Sequence, residues 1–192
     1  MAKQIDYYLT PTSPWTYLGH ARFAAIAARQ GAAVSVKPVN YGVIFPESGG
    51  LPVAKRAPQR QAYRLAELAR WRDFLGIPLN VHPKFFPADP APASCLICAA
   101  PEGKRLALAG DLLRAVWAEE QNIADSGVLA SIAARHAIAD APAAIAEGKT
   151  TYERYTQEAL ARQVFGAPTY AIGDALFWGQ DRLDFVERAL AN

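Results

Sequence analysis

The chain has 192 residues, 52% of them hydrophobic and 20% charged, with a formal net charge of +2. That length suits one domain, or a domain with a large insertion, and buries a sizeable core. So small a charge, with no long basic run, argues against a nucleic-acid partner, and the apolar stretches break off well short of a membrane span.

Lys3 is followed at once by a strand pattern, so no signal peptide is expected. The expected compartment is the cytoplasm, where two cysteines stay reduced. "QIDYYL" reads as a buried strand closed by Pro11. Residues 14–30 then carry Leu18, Phe23 and Ile26 at helical spacing, with Gly31 at the natural stop. "AAVSVKPVNY" reads as a second strand, and strand-helix-strand order favours a parallel pair with a right-handed crossover. The Gly- and Pro-rich run "GVIFPESGGLPVAKRAPQ" reads as a long loop.

A helix is expected over residues 59–75, where Leu65, Leu68, Trp71 and Leu75 recur every three or four positions. "GIPLNVHPKFFPADPAPA" is a second Pro-rich connection. A mostly helical block follows: Leu108, Leu112, Ala115 and Val116 share one face, a helix ends near His136, and one or two more precede Gln163. "APTYAIGDALFWG" has the strand-turn-strand form of a hairpin. A last helix starts near Gln180 and buries Leu183, Val186 and Leu190. The order predicts an α/β fold. Residues 1–40 and 164–192 form a thioredoxin-like domain, and residues 41–163 a loop plus an all-helical insertion domain.

In such a domain the reactive position is the start of the first helix, where redox enzymes place Cys-x-x-Cys. Here the slot reads Ser13-Pro14-Trp15-Thr16. Ser is a preferred N-cap and Pro a preferred first helical residue, so capping alone accounts for the pair. Without sulfur the slot cannot exchange disulfides. A hydroxyl donor at the positive end of a helix can instead stabilise the thiolate of a bound molecule.

Other chemistry-bearing patterns point elsewhere. Cys95 and Cys98 in "CLIC" flank two apolar residues inside the helical block and read as buried helix positions. His20, His82 and His136 show no metal spacing. A Ser-His-Asp hydrolase lacks its Gly-x-Ser-x-Gly elbow around Ser13. Gly49-Gly50 lacks the spacing and the ending of a phosphate loop. Trp15, Tyr17, Phe177 and Trp178 read either as walls of an apolar slot or as core.

The motifs "SPWTYLG", "GGLPVAKRAPQRQAYRLAELARWRDFLGIPL", "FGAPTY" and "FWGQDRLDFVERAL", in that order along nearly the whole chain, resemble the 2-hydroxychromene-2-carboxylate isomerases. That family is related to kappa-class glutathione transferases and to periplasmic disulfide-forming oxidoreductases. The resemblance implies glutathione as cofactor: its thiolate adds to a conjugated carbonyl substrate, permits ring opening and rotation, and is eliminated unchanged. The reaction so implied interconverts 2-hydroxychromene-2-carboxylate and trans-o-hydroxybenzylidenepyruvate in aromatic catabolism.

Carried over residue by residue, Ser13 matches the catalytic serine. Ala167 and Pro168 match the residue before a cis-proline and that proline, which hold the cysteinyl part of glutathione. Gln180 and Asp181 match the polar pair at its γ-glutamyl end. The middle segment departs from the pattern, because no Asn lies between Tyr41 and Leu79. Lys55, Arg56 and Arg60 are candidates for the glycine carboxylate or the substrate carboxylate, with Arg60 best placed by its distance from "GIPL". Pro14 and Trp15 join them as candidate substrate contacts, and relatives are commonly dimers. Two other readings remain: a kappa-type transferase that releases a conjugate, and a non-catalytic module that binds glutathione or another small molecule.

Overall fold

The structure is a computed structural model describing residues 3–191; residues 1, 2 and 192 of the expected domain lie outside it. The first strand, β1 (Gln4–Leu9), runs into α1 (Pro14–Arg29) and returns as β2 (Ala33–Pro38). β1 and β2 are parallel, with Gln4 opposite Ala33 and Leu9 opposite Pro38. β3 (Thr169–Ile172) pairs antiparallel with β1, and β4 (Ala175–Trp178) pairs antiparallel with β3. The sheet order is β2-β1-β3-β4.

Strand alternation explains the two covered faces of the sheet. Ile5, Tyr7 and Leu9 point into one core with Leu18, Phe23 and Ile26 of α1. The last helix, α8 (Leu183–Ala191), adds Leu183, Val186 and Leu190 to that core. Tyr8 points the other way, into a second core with Val39, Ile44, Tyr152 and Tyr155. Tyr7 stacks on Tyr170 of β3, with ring centroids 5.3 Å apart, so the two central strands are locked by aromatic contact as well as by the ladder.

Between β2 and β3 come α2 (Tyr41–Ser48), α3 (Pro58–Leu75), α4 (Ala91–Ala99), α5 (Glu102–Trp117), α6 (Ser126–Arg135) and α7 (Ala141–Ala161). This block packs on the sheet: Leu96 of α4 and Leu108 and Leu112 of α5 belong to the same core as β1 and α1. A charged cluster ties α7 to the sheet. The Lys37 ammonium meets Asp6 at 3.1 Å and also Glu158, while Tyr8 donates to Glu158 at 3.0 Å.

Two expectations need correction. Residues 41–48 form α2 instead of opening a long loop, because Asn40 caps the helix by accepting from the Gly42 N–H and Ile44 is fully buried. Burial outweighs the cost of Pro46 inside the helix. The final helix begins at Leu183, not Gln180; residues 180–182 form a 3-10 turn. The stretch left open as one or two helices before Gln163 is the single 21-residue α7.

Candidate active site

Ser13 is the N-cap of α1. Its backbone is extended (φ −83°, ψ 120°), its Oγ accepts from the Thr16 N–H at 3.1 Å, and Pro14 opens the helix. The Ser13 N–H donates to the Thr10 carbonyl at 3.0 Å, closing the turn out of β1. The cap uses the hydroxyl as acceptor, so its O–H stays available to donate. No acidic side chain sits in the first turn of α1, so nothing there offsets the positive helix end.

The Ala167-Pro168 bond is cis, as the resemblance implies; a second cis bond, Phe86-Pro87, had no signal in the sequence reading. Tyr8 pairs with Thr169, so the end of β1 and the residues just before β3 share one end of the sheet. The Ala167 N–H and C=O have no intramolecular partner among the described residues. A half-buried residue with both backbone groups free can take up an extended peptide in the manner of an added strand. Its neighbour Gly166 is fixed, its carbonyl accepting from the Tyr41 hydroxyl at 2.7 Å and from Thr169 at 2.6 Å.

Residues 179–181 reach the same place. The Gly179 N–H donates to the Pro168 carbonyl at 2.9 Å, which links the start of the 3-10 turn to the cis-proline. Gln180 is 2% exposed, and its side-chain carbonyl accepts from Arg22 at 2.9 Å. Its side chain is therefore anchored to α1 and positions its neighbour. Asp181 is exposed and, among the described residues, forms an ion pair only with Arg182, at 3.2 Å, a surface contact that yields easily to a ligand.

The end of β1, the start of β3 and the end of β4 lie together, so Ser13, Ala167, Pro168, Gln180 and Asp181 all flank strands at one end of the sheet. Pro14 is buried and Trp15 half-buried against the core. Lys55 lies on a short 3-10 turn, and Arg60 in the first turn of α3; both are exposed. Arg56 donates to the Leu51 carbonyl at 2.8 Å, and burial, with Arg60 nearby, lowers its pKa. Among the described residues, no hydrogen bond or ion pair links these three to Ser13. Tyr17 and Phe177 are half-buried against the core, whereas Trp178 is 53% exposed and meets Phe165 edge-on at 4.9 Å.

The other patterns are engaged elsewhere. His20 lies between the Tyr7 hydroxyl at 3.2 Å and the Leu106 carbonyl at 3.1 Å, and burial lowers its pKa to about 4. His136 meets Asp111 at 2.9 Å. Among the described residues no histidine makes a hydrogen bond to Ser13, so no triad forms. Cys95 and Cys98 are buried free thiols on α4, and burial raises both pKa values, that of Cys98 to about 12. A thiol held protonated is a poor nucleophile and a poor metal ligand. Among the described residues no cluster of three or more His, Cys, Asp or Glu side chains could hold a metal ion, and no helix is long and apolar enough to cross a membrane.

Sequence reading missed Arg22, Tyr41 and Arg64. Arg22 and Tyr41 bond to Gln180 and Gly166, which lie within the motifs, but neither itself sits in a recognisable pattern. Arg64 carried a signal, since it lies four residues before Leu68, in line with the apolar stripe of α3.

Residues 4–191 match the family model described as a DSBA-like thioredoxin domain. A 2-hydroxychromene-2-carboxylate isomerase of Sphingobium xenophagum is 27% identical over 99% of this chain and 99% of its own. A protein of the same name from Pseudomonas putida is 28% identical, over 97% and 93%. Among solved structures, a 2-hydroxychromene-2-carboxylate isomerase superposes with a TM-score of 0.83 at 24% identity, covering 98% of this chain and 94% of that one.

Proposed function

The chain belongs to the DSBA-like thioredoxin family, and on that premise we propose that it is a glutathione-dependent isomerase of 2-hydroxychromene-2-carboxylate-type substrates. The observation that carries the reading is Ser13: the position that holds a reactive cysteine in redox members of the fold is a hydroxyl, capped and free to donate. Relatives named for that reaction, aligned over nearly the full chain, support the choice of substrate class.

Glutathione, when bound, supplies a thiolate nucleophile and leaves the reaction unchanged. The residues present fit it. The free N–H and C=O of Ala167 suit its peptide backbone, and the exposed Asp181 carboxylate suits its ammonium group. Arg60, at the exposed start of α3, suits a terminal carboxylate. The Ser13 hydroxyl donates toward the sulfur, while the first turn of α1 supplies the positive potential.

Magnitudes decide whether these contributions suffice. Bringing a thiol from a pKa of ~8.5 to mostly ionised at neutral pH requires about 2 units, or roughly 3 kcal/mol. The helix end contributes about 0.3–2 kcal/mol and a hydrogen bond to a charged acceptor about 1.5–3. Neither covers the shift comfortably alone; together, at about 1.8–5 kcal/mol, they reach it.

The test is ultraviolet absorption of the benzylidenepyruvate product with and without glutathione, alongside a thiol assay. Interconversion that requires glutathione and consumes none supports the isomerase. Net consumption of thiol refutes it in favour of a transferase, and absence of turnover with retained glutathione binding refutes it in favour of a binding module.

A further inference from the structure

Arg64 is the most unusual side chain outside the site described above. It is 8% exposed, and its Nη2 is buried without a hydrogen-bond partner. Among the described residues no carboxylate forms an ion pair with it. Arginines at protein surfaces normally lay their stems on apolar groups and keep the guanidinium in water. Here the guanidinium lies over Phe86, 5.3 Å from the ring centroid, and 5.9 Å from that of Trp117. Ring faces replace only part of the hydration of a cation, so the charge is left uncompensated.

Two further features point to what would compensate it. A cavity of about 350 Å³ lies between α3 and residues 81–86, with Arg64 in its wall beside Val53, Leu65, Val81 and Phe86. Trp117, whose Nε1 is also buried and unpartnered, lies outside the lining residues but beside two of its groups: its ring centroid is 5.0 Å from that of Phe86 and 5.9 Å from the Arg64 guanidinium. Of the polar groups in the lining, Gln61 already donates its amide to the Arg56 carbonyl, and His82 sits exposed at the rim. The cavity thus offers one cation and apolar walls, which match a monoanion on a flat apolar body and match neither a phosphate ester nor a sugar.

We infer that this cavity binds a small aromatic carboxylate, with the Arg64 guanidinium as its counter-ion. As a site for the substrate of the proposed isomerase the inference rests on that reading; the binding event does not, and it is tested without glutathione. A glycine carboxylate of glutathione has the same anionic chemistry, and the apolar walls favour the aromatic source.

The experiment titrates the full chain calorimetrically with 2-naphthoate and with its neutral counterpart 2-naphthamide. The carboxylate binds about tenfold or more tightly than the amide, as expected for a desolvated charge pair. The Trp117 indole N–H resonance shifts with naphthoate, a readout that needs no variant. Arg64→Met removes the preference, leaves glutathione affinity unchanged, and melts at or above the wild-type temperature, because an unpaired buried charge has been replaced by apolar volume. Equal affinity for the two probes overturns the inference, as does a preference that survives in folded Arg64→Met. Loss of glutathione affinity in Arg64→Met with naphthoate binding intact overturns the aromatic assignment and gives the cavity to the tripeptide. A protein that binds naphthoate through Arg64 but not glutathione refutes the proposed function alone.

Discussion

Gly19 on α1 offers a direct test of how the 179–181 turn is held. A Cβ at this position would lie 2.7 Å from Gln180 Cβ, 3.1 Å from the Tyr170 hydroxyl and 3.4 Å from Gln180 Cα. Carbon atoms pack at about 3.5–4 Å, so Gln180 would have to retreat by roughly 1 Å. It cannot do so by changing rotamer, because the clash is with the Cβ and the backbone, and Arg22 holds the far end of the side chain. Ala gains about 1 kcal/mol over Gly in a helix, whereas overpacking costs about 1–3. A 2.7 Å approach to a Cβ that is held in place belongs at the upper end of that cost, so the clash wins, with a net loss of about 2 kcal/mol, or a fall in Tm of roughly 4–8 °C in a domain of this size. Gly103, in the first turn of α5, is the control: a Cβ there meets nothing within 4 Å, so Gly103→Ala matches or exceeds wild-type stability. Thermal melts of both variants, followed by glutathione titration, give the answer. Gly19→Ala loses stability and binds glutathione more weakly, because the turn carrying Asp181 has shifted. A Gly19→Ala protein as stable as Gly103→Ala would refute the reasoning.

Three shorter predictions accompany it. His20 is neutral in the folded protein, with a pKa lowered by burial to about 4, and it regains an ordinary value near 6.5 on unfolding. The unfolded state therefore binds more protons between those values. Stability is complete above pH 6.5 and falls by up to about 3 kcal/mol as the pH drops to 4. Urea unfolding across that range shows the slope, and His20→Gln flattens it; an unchanged slope refutes the assignment. Replacing Cys95 and Cys98 together with Ala keeps glutathione-dependent turnover close to wild type while lowering Tm, since both thiols are buried on α4; lost turnover in a folded variant would move the chemistry there. Asp181→Asn weakens glutathione binding by roughly tenfold, about 1.4 kcal/mol, measured by calorimetry, and unchanged affinity would remove Asp181 from the site.

Much of the fold was legible because its signals are local. The short apolar run closed by Pro11 marks β1, the Ser-Pro pair marks the start of α1, and the Gly-Asp turn marks the hairpin of β3 and β4. Failure came at α2, where Gly42, Pro46 and Gly49 all read as loop residues. What makes that stretch helical is long-range: Ile44 is buried in the second core, and the backbone N–H of Asn40, the α2 cap, donates to Thr156 of α7 at 3.0 Å. Pattern reading along one segment does not see a contact made more than a hundred residues away. The same limit applied at the site. Ser13 and the residues around Pro168 stood out as motifs, but the burial of Gln180 beneath Arg22 depends on how α1 meets the 3-10 turn, and Arg64 gains its meaning only from Phe86 and Trp117 beside it.

The acidity of the glutathione thiol bound to wild-type protein and to Ser13→Ala tests the central claim most directly, read from thiolate absorbance against pH. A donated hydrogen bond worth about 1.5–3 kcal/mol corresponds to about 1–2 pKa units. The bound thiol in wild type should titrate well below ~8.5 and rise by at least about one unit in the variant, with turnover falling in parallel. An identical thiol pKa in the two proteins would contradict the role given to Ser13.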